Sequence, residues 1–561
     1  MGSMPACDKQ TYDVLIIGAG LSGICSLYHL RKRFPQWRIG CIEAGSDVGG
    51  VWHWNRYPGC RIDTESLSYA FSFDKELLQE WSWPETFSTQ ADMHAYIKRV
   101  AEKHDLYDDI RFNTRIKSAS WDDDERVWTF ADENNNRYTT RFFVSCLGFL
   151  SAPTLPAIEG VHGFRGQAFH TSCWPANLDI GRDFAGKNIG VIGTGATGIQ
   201  TITALSKETS IKSLTVFQRT ANWSAPLRNT KIAREQMEAV RNGGYEGIFQ
   251  TCANSLTGFL HTADPRKTLE VTPEERVAHW EKLYNEPGFG KWLGVFSDTY
   301  TNREANTLYS EFMADKIRSR VNDSEMAQSL IPKNHGFGTR RVPLESGYYE
   351  AFNKPNVHLV DLQKTPIAHI ARSSVVLDNA EEYEVDVLIY ATGFDAITGA
   401  FSAVHWRAKN GRPLVGFAGD GRQDNREPIW PDHRPSTFLG LMAPAMPNTF
   451  MVLGPHQPFG NATRSVEHAV SVISDVLAFC AEKDYEYVEP EQWAVDEWTQ
   501  HVVECSKGAL ANEVDSWMTG VNNNVKGKTV RSVARYSGSA IEYRRRCEEC
   551  KQQGYKGLQF A

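Results

Sequence analysis

YDVLIIGAGLSG, residues 12–23, passes from an apolar, β-rich run into three glycines, and the ICSLYHLRKRF that follows repeats its apolar residues at helical spacing. Strand, tight turn and helix in that order predict a dinucleotide-binding unit. Gly18, Gly20 and Gly23 permit the turn and let the backbone approach a pyrophosphate, which sits on the unpaired N–H groups of the helix N-terminus. A second β-rich run, WRIGCIE, ends on Glu43, twenty residues after Gly23, where a carboxylate can hold two ribose hydroxyls. The pattern recurs in KNIGVIGTGATGIQ, 187–200, with Gly193, Gly195 and Gly198. Twenty residues after Gly198 the acid is replaced by Gln218, followed by Arg219. An acid there would repel a 2′-phosphate, whereas Arg219 can pair with it, so the second loop is expected to take NADP(H). Two loops of unlike preference predict FAD at the first and NADPH at the second, with hydride passing between them.

The rest of the composition narrows the class. A chain of 561 residues exceeds one core, since domains run to about 100–200 residues. Hydrophobic residues make up 41% and charged residues 23%, and the net charge of -8 leaves no broad basic face for nucleic acid. The eleven cysteines are odd in number and scattered, which reads as reduced thiols in the cytoplasm; Cys547 and Cys550 form one C-x-x-C pair without a second pair at zinc spacing. There is no apolar run long enough for a membrane span, no signal-peptide pattern and no metal-ligand constellation such as H-E-x-x-H.

The expected fold class is α/β: two Rossmann-like dinucleotide-binding domains, the NADPH domain inserted in the FAD domain, plus a helical insertion. RFFVSCLGF (141–149) and YEVDVLIYATGF (383–394) are both β-rich runs ending in glycine and phenylalanine, and they read as the points where the chain leaves and re-enters the flavin domain. The expected boundaries are 1–152 and 389–561 for the FAD domain, 153–222 and 336–388 for the NADPH domain, and 223–335 for the helical subdomain. Within the last, TPEERVAHWEKLY (272–284) predicts a helix: Thr272 as N-cap, Pro273 in first position, Glu275 closing a capping box, and Val277, Trp280 and Tyr284 on one face.

GFRGQAFHTSCWP, 163–175, sets Phe164, Gly166, His170, Trp174 and Pro175 at the spacing F-x-G-x-x-x-H-x-x-x-W-P, and GVWHWNRYPGCRID, 50–63, matches G-x-W-x-x-x-[YF]-P-G-x-x-x-D. With the two glycine loops and ATGFD at 391–395, these motifs resemble those of the NADPH-dependent flavin monooxygenases of Baeyer-Villiger type, and the likeness extends over most of the chain. The resemblance implies flavin contacts at Val51, Trp52, His53, Trp54, Asp63 and Tyr69, and NADPH contacts at Thr194, Gln200, Thr220, Arg340 and Trp517. It makes His170 and Trp174 organisers between the domains, and it sets Phe459 and Asn461 against a ketone.

HGFGTRRVPLESGYYEAF, 335–352, resembles the family's active-site stretch and places the catalytic arginine at Arg341, with Asp63 as its orienting partner. In that family a flavin peroxide adds to a ketone and inserts one oxygen to give an ester or lactone, and a fixed guanidinium stabilises the anions involved. NADP+ stays bound and shields the site from water. Two residues inserted after Asn522 set the Trp517 loop apart from the family pattern. The readings left open beside this one are an N- or S-oxygenating flavin monooxygenase and a non-catalytic FAD/NADPH redox sensor. The expected partners are a small ketone and O2.

Overall fold

The computed structural model describes residues 10–416 and 426–561; of the eleven cysteines, Cys7 lies outside them. The first sheet is built on β1 (Gln10–Ile17), whose last four residues are buried on both faces, as a central parallel strand requires. After β1 the chain forms the helix α1 (Leu21–Arg33) and then β2 (Ile39–Ile42), parallel to β1 with Ile17 opposite Ile42. β3 (Ile110–Arg111) extends that edge, and β4 (Ile116–Asp122), β5 (Val127–Asp132) and β6 (Arg137–Ser145) form an antiparallel meander that brings β6 alongside β1. β5 pairs with the first half of β6 only. The strand Thr449–Met451 takes over at Phe143, and His405–Arg407 is added beyond β4, so the chain after residue 394 completes the sheet begun at residue 10. The helix Ala462–Lys483 packs on α1.

The second sheet is wholly parallel. β7 (Gln167–His170) forms one edge, and β8 (Asn188–Ile192) and β9 (Ser213–Gln218) lie inside; the order is Val357–Asp361, β9, β8, Val387–Tyr390, β7. All four residues of Val387–Tyr390 pair with both β7 and β8, so the expected division between 388 and 389 falls inside a strand of the second sheet. The chain crosses back only after Ala391. There the two crossings run side by side: the Thr154 N–H donates to the Gly393 carbonyl and the Asp395 N–H to the Ala152 carbonyl, at 2.9 and 2.8 Å.

The helical insertion is bounded by a short parallel pairing of Ala225–Pro226 with Leu344–Glu345. Its helix Pro273–Asn285 begins with the capping box, the Thr272 hydroxyl accepting from the Glu275 N–H at 3.2 Å. Trp280 and Tyr284 are buried, but Val277 is 46% exposed, because the helix gains cover only from its third turn, where Leu283 joins them.

Candidate active site

The first glycine loop is fixed by close contacts. Gly18 has a φ of +105°, and a Cβ on it would lie 2.2 Å from the Cys146 carbonyl oxygen at the end of β6. A Cβ on Gly23 would lie 1.8 Å from the Gly18 carbonyl oxygen, so α1 can start this close to β1 only over glycine. Gly20 caps α1 and faces Gly50, whose φ is +55° and whose Cβ would lie 2.8 Å from the Gly20 Cα. Two loops from separate motifs thus meet over one helix N-terminus and form a cradle that suits a pyrophosphate. Glu43, 5% exposed, accepts from the N–H groups of Ala19 at 2.7 Å and Gly45 at 2.6 Å, which fixes both carboxylate oxygens and leaves lone pairs for ribose hydroxyls.

Val51–Trp54 forms a single helical turn directly after Gly50. Trp52 and His53 are buried, Val51 and Trp54 half-buried, and Trp52 meets buried Tyr69 edge-on with ring centres 6.2 Å apart. His53 Nδ1 is buried without a protein partner, and burial holds the imidazole below its usual pKa. A neutral ring with one free nitrogen suits a hydrogen bond to a bound flavin. Gly50 was not among the expected site residues; the Gly-Gly pair ahead of the turn was the signal that could have shown it.

In the second sheet Gly193, φ +109°, backs on the Ala391 carbonyl oxygen, 2.5 Å from where its Cβ would be. A Cβ on Gly195, at the N-terminus of the helix Ala196–Lys207, would meet no atom within 4 Å, which leaves room for a phosphate. Gly198 packs on the Gly193 carbonyl, and the Thr194 hydroxyl donates to the Thr220 carbonyl at 3.0 Å, tying the loop to the end of β9. Gln218 is buried and donates to the Ser329 carbonyl at 2.7 Å, while Arg219 is exposed. Arg340 Nε is buried and unpartnered, and burial together with the nearby Arg219 charge lowers the Arg340 pKa against a partial offset from Asp515. Two guanidinium groups that repel each other around one space suit a dianionic 2′-phosphate. Gln200, also expected on the cofactor, has its side-chain amide engaged within the protein. Its amide accepts from the Tyr57 hydroxyl at 2.8 Å and donates to the Arg61 carbonyl at 3.3 Å, so it clamps the second domain to the 50–63 motif.

Arg341 donates to Asp63, joining the two expected catalytic residues across the domain boundary. The Phe289 ring lies 6.0 Å from the guanidinium carbon, and Asn222 donates to the Arg341 carbonyl at 3.5 Å. Neither residue carried a sequence signal. Two residues beyond Asp63, Glu65 lies 2.7 Å from His261 Nε2.

The 163–175 segment links the second sheet to the crossing. His170, 5% exposed, accepts at Nδ1 from the Ser172 N–H at 3.1 Å and places Nε2 3.0 Å from the Gly393 carbonyl, so these partners assign the proton to Nε2. Trp174, 3% exposed, packs edge-on against Phe169 with centres 4.8 Å apart. Half-buried Trp517 stands on a single turn, and the loop after it is anchored to the other crossing: Asn522 donates to the Phe394 carbonyl at 3.0 Å, Asn524 to the Thr392 carbonyl at 3.3 Å, and buried Lys528 to Asp395 and to the Thr398 hydroxyl. One of the two inserted residues, Asn524, therefore forms part of the anchor. Phe459 packs at a tilt against Phe149, with ring centres 4.9 Å apart. Asn461 is a correction: it is 1% exposed and donates to the Ser68 carbonyl and hydroxyl at 3.0 and 3.1 Å, so its amide is used up inside the protein and cannot face a ketone.

Residues 11–228 match the flavin-binding monooxygenase-like family. Over 98% of both chains, the protein is 39% identical to a 2-oxo-Δ3-4,5,5-trimethylcyclopentenylacetyl-CoA monooxygenase of Pseudomonas putida. It is 34% identical, over 98% of this chain and 97% of the relative, to a phenazine N-monooxygenase of Lysobacter antibioticus. The cyclohexanone monooxygenase of Rhodococcus sp. Phi1, solved with NADP+ bound, superposes with a TM-score of 0.92 at 34% identity, over 99% of each chain. The chain belongs to the Baeyer-Villiger flavin monooxygenases. It is an FAD- and NADPH-dependent enzyme of that family. Among the described residues no group of three or more His, Cys, Asp or Glu side chains is placed to hold a metal ion, and no helix is long and apolar enough to cross a membrane.

Proposed function

We propose that this Baeyer-Villiger monooxygenase converts open-chain and cyclic ketones into esters and lactones, with one atom of O2 entering the bond beside the carbonyl and the other leaving as water. The Arg341–Asp63 pair carries this reading, since it sets one cation, fixed in direction, between the two cofactor cradles. When bound, NADPH supplies the hydride and FAD the means of activating O2.

The chain's own contribution is electrostatic. An oxygen nucleophile added to a ketone carbonyl leaves negative charge on oxygen, and the Arg341 guanidinium stabilises that charge. Asp63 takes one N–H of the fork and fixes its plane, while the remaining N–H groups stay free to donate. The Phe289 face beneath the guanidinium excludes water on that side and strengthens the field. The 516–528 loop is anchored to the crossing at 392–395, next to the Ala391 carbonyl that backs Gly193, which supports the reading that bound NADP+ shields the reacting oxygens.

N-oxygenation is the second reading, and the phenazine N-monooxygenase relative is the observation that favours it. The ten cysteines of the described residues are all free thiols, which supports a cytoplasmic protein. Product analysis by mass spectrometry with NADPH, 18O2, a panel of ketones, one thioether and one phenazine tests both readings. Esters or lactones carrying one heavy oxygen are expected; N-oxide or sulfoxide without any ester moves the assignment to heteroatom oxygenation.

A further inference from the structure

PGFGK, 287–291, sets one phenylalanine between two glycines and ends on a lysine. The turn it forms is held from two sides. On one side Lys291 is fully buried, and its ammonium donates to the carbonyls of Glu286 at 2.6 Å, Gly288 at 3.0 Å and Pro226 at 2.8 Å. Pro226 belongs to the short pairing with Leu344–Glu345, so the turn is tied to the segment that continues from Arg341. On the other side lies His261. Gly288 has a φ of +70°, and a Cβ on it would lie 2.5 Å from Glu65 Oε1, 3.1 Å from Phe87 Cζ and 3.2 Å from His261 Nε2. A Cβ on Gly290 would lie 3.5 Å from His261 Nδ1, so the imidazole spans the backbone on either side of Phe289.

The imidazole is itself fixed. Its Nε2 donates to Glu65 Oε1 at 2.7 Å, and this carboxylate partner sets both the tautomer and the plane of the ring. Glu65 Oε2 is buried without a partner. A pair kept for packing alone would be better replaced by apolar side chains, because an unpaired buried carboxylate oxygen is unfavourable; what the bond adds is direction. The residue so framed is Phe289, 1% exposed, whose ring lies 6.0 Å from the Arg341 guanidinium carbon and meets Phe259 edge-on with centres 5.3 Å apart. Asp63 grips the same guanidinium directly. Glu65, two residues on, reaches it through His261 and Phe289.

We propose that His261, oriented by Glu65, is a positioning residue for Arg341: it holds the 286–291 turn so that the Phe289 ring stays against the guanidinium. This rests on the ketone-oxygenating reading above. The ring attracts the cation and keeps water from one side of it, so a displaced ring lets the guanidinium turn and hydrate, and less charge stabilisation is left when oxygen adds to the carbonyl. Neither His261 nor Glu65 needs to touch the ketone for this.

The test is ester formation and NADPH oxidation by the FAD-loaded full chain, with the ketone of the panel above that gives most ester. His261→Phe keeps a ring over the turn without the bond, and Glu65→Leu breaks the bond from the other end and leaves no buried charge behind, so one folded variant of the two decides the matter. Each is expected to lower kcat for ester formation by about threefold to thirtyfold, the range over which a cation–π contact acts, and to lower the yield of ester per NADPH consumed, while KM for NADPH and for the ketone stays within about twofold. His261→Gln, whose amide can still donate to Glu65, is expected to keep most of the wild-type rate. In a Phe289→Leu background the loss from His261→Phe or Glu65→Leu is expected to disappear, because an effect carried by Phe289 has no route left, whereas a general loss of structure would add to that of Phe289→Leu. Full additivity in the double variant, a loss confined to KM for the ketone, or unchanged ester formation in the folded variant overturns the proposal. Ester from wild type with any of these three results sinks this proposal alone, whereas no ester from wild type with any ketone removes the ketone reading with it.

Discussion

Arg341 and Asp63 stand 278 residues apart in sequence and form one ion pair, with Arg341 on the NADPH side of the domain boundary and Asp63 on the FAD side. The side chains are 37% and 17% exposed, so the pair is open to water, and a bound ligand that excludes that water would strengthen its field. Arg341→Ala is expected to bind FAD and oxidise NADPH yet form no detectable ester. Asp63→Asn is expected to lower kcat for ester formation by about 10²–10³ with little change in KM for NADPH, because only the direction of the guanidinium is lost. Ester formation by Arg341→Ala would remove the assigned role.

Gly50 faces Gly20 at the mouth of the first cradle, and its φ of +55° lies in the region that favours glycine. Gly50→Ala pushes a methyl group to 2.8 Å from the Gly20 Cα. The expected outcome is a folded protein purified largely without FAD, read from the ratio of flavin to protein absorbance. Gly247→Ala, in a helix where an added Cβ meets nothing within 4 Å, serves as the control and should retain the flavin. Equal FAD content in the two variants would show that the 49–50 loop does not form the cradle.

Arg219 and Arg340 repel each other across the space given to the 2′-phosphate. Arg219→Ala is expected to raise KM for NADPH by about tenfold to a hundredfold, as losing a charge-assisted pair of about 1.5–3 kcal/mol implies, and to leave KM for NADH nearly unchanged. Arg340→Ala should behave alike but more strongly, since its Nε is already removed from water. Steady-state kinetics with both cofactors checks this; parallel shifts for NADPH and NADH would break the phosphate reading.

Much of this site was legible in the sequence because its parts are local: a strand, a glycine turn and a helix must be contiguous to bind a pyrophosphate, and the Thr272 capping box spans four residues. What was not legible depends on distant partners. Asn461 reads as a loop residue beside Phe459, but it is used up by Ser68, 393 residues away. Gln200 follows a dinucleotide loop, yet its amide belongs to Tyr57 and Arg61. Val387–Tyr390 reads equally well as a strand of either sheet, and only pairing with β7 and β8 decides between them. The Arg341–Asp63 pair was foreseen through the resemblance, since no spacing rule links two residues so far apart.

His170 ties the edge of the second sheet to the crossing at Gly393, and burial lowers its pKa from the usual 6.5 to about 4. The folded state therefore keeps the ring neutral where the unfolded chain would protonate it. Its contribution to stability is complete above about pH 6.5 and falls as the pH drops towards 4, by up to about 3 kcal/mol. His170→Asn replaces the ring with an amide that does not titrate. The variant is expected to melt lower than wild type at pH 7.5 but to lose fewer degrees between pH 6.5 and 4.5, measured by thermal unfolding with FAD bound. Because His170 holds the crossing rather than the reacting atoms, the same variant should lower the yield of ester per NADPH consumed more than it lowers the rate of NADPH oxidation. Identical pH slopes for the two proteins would mean that the imidazole is not held neutral by the fold.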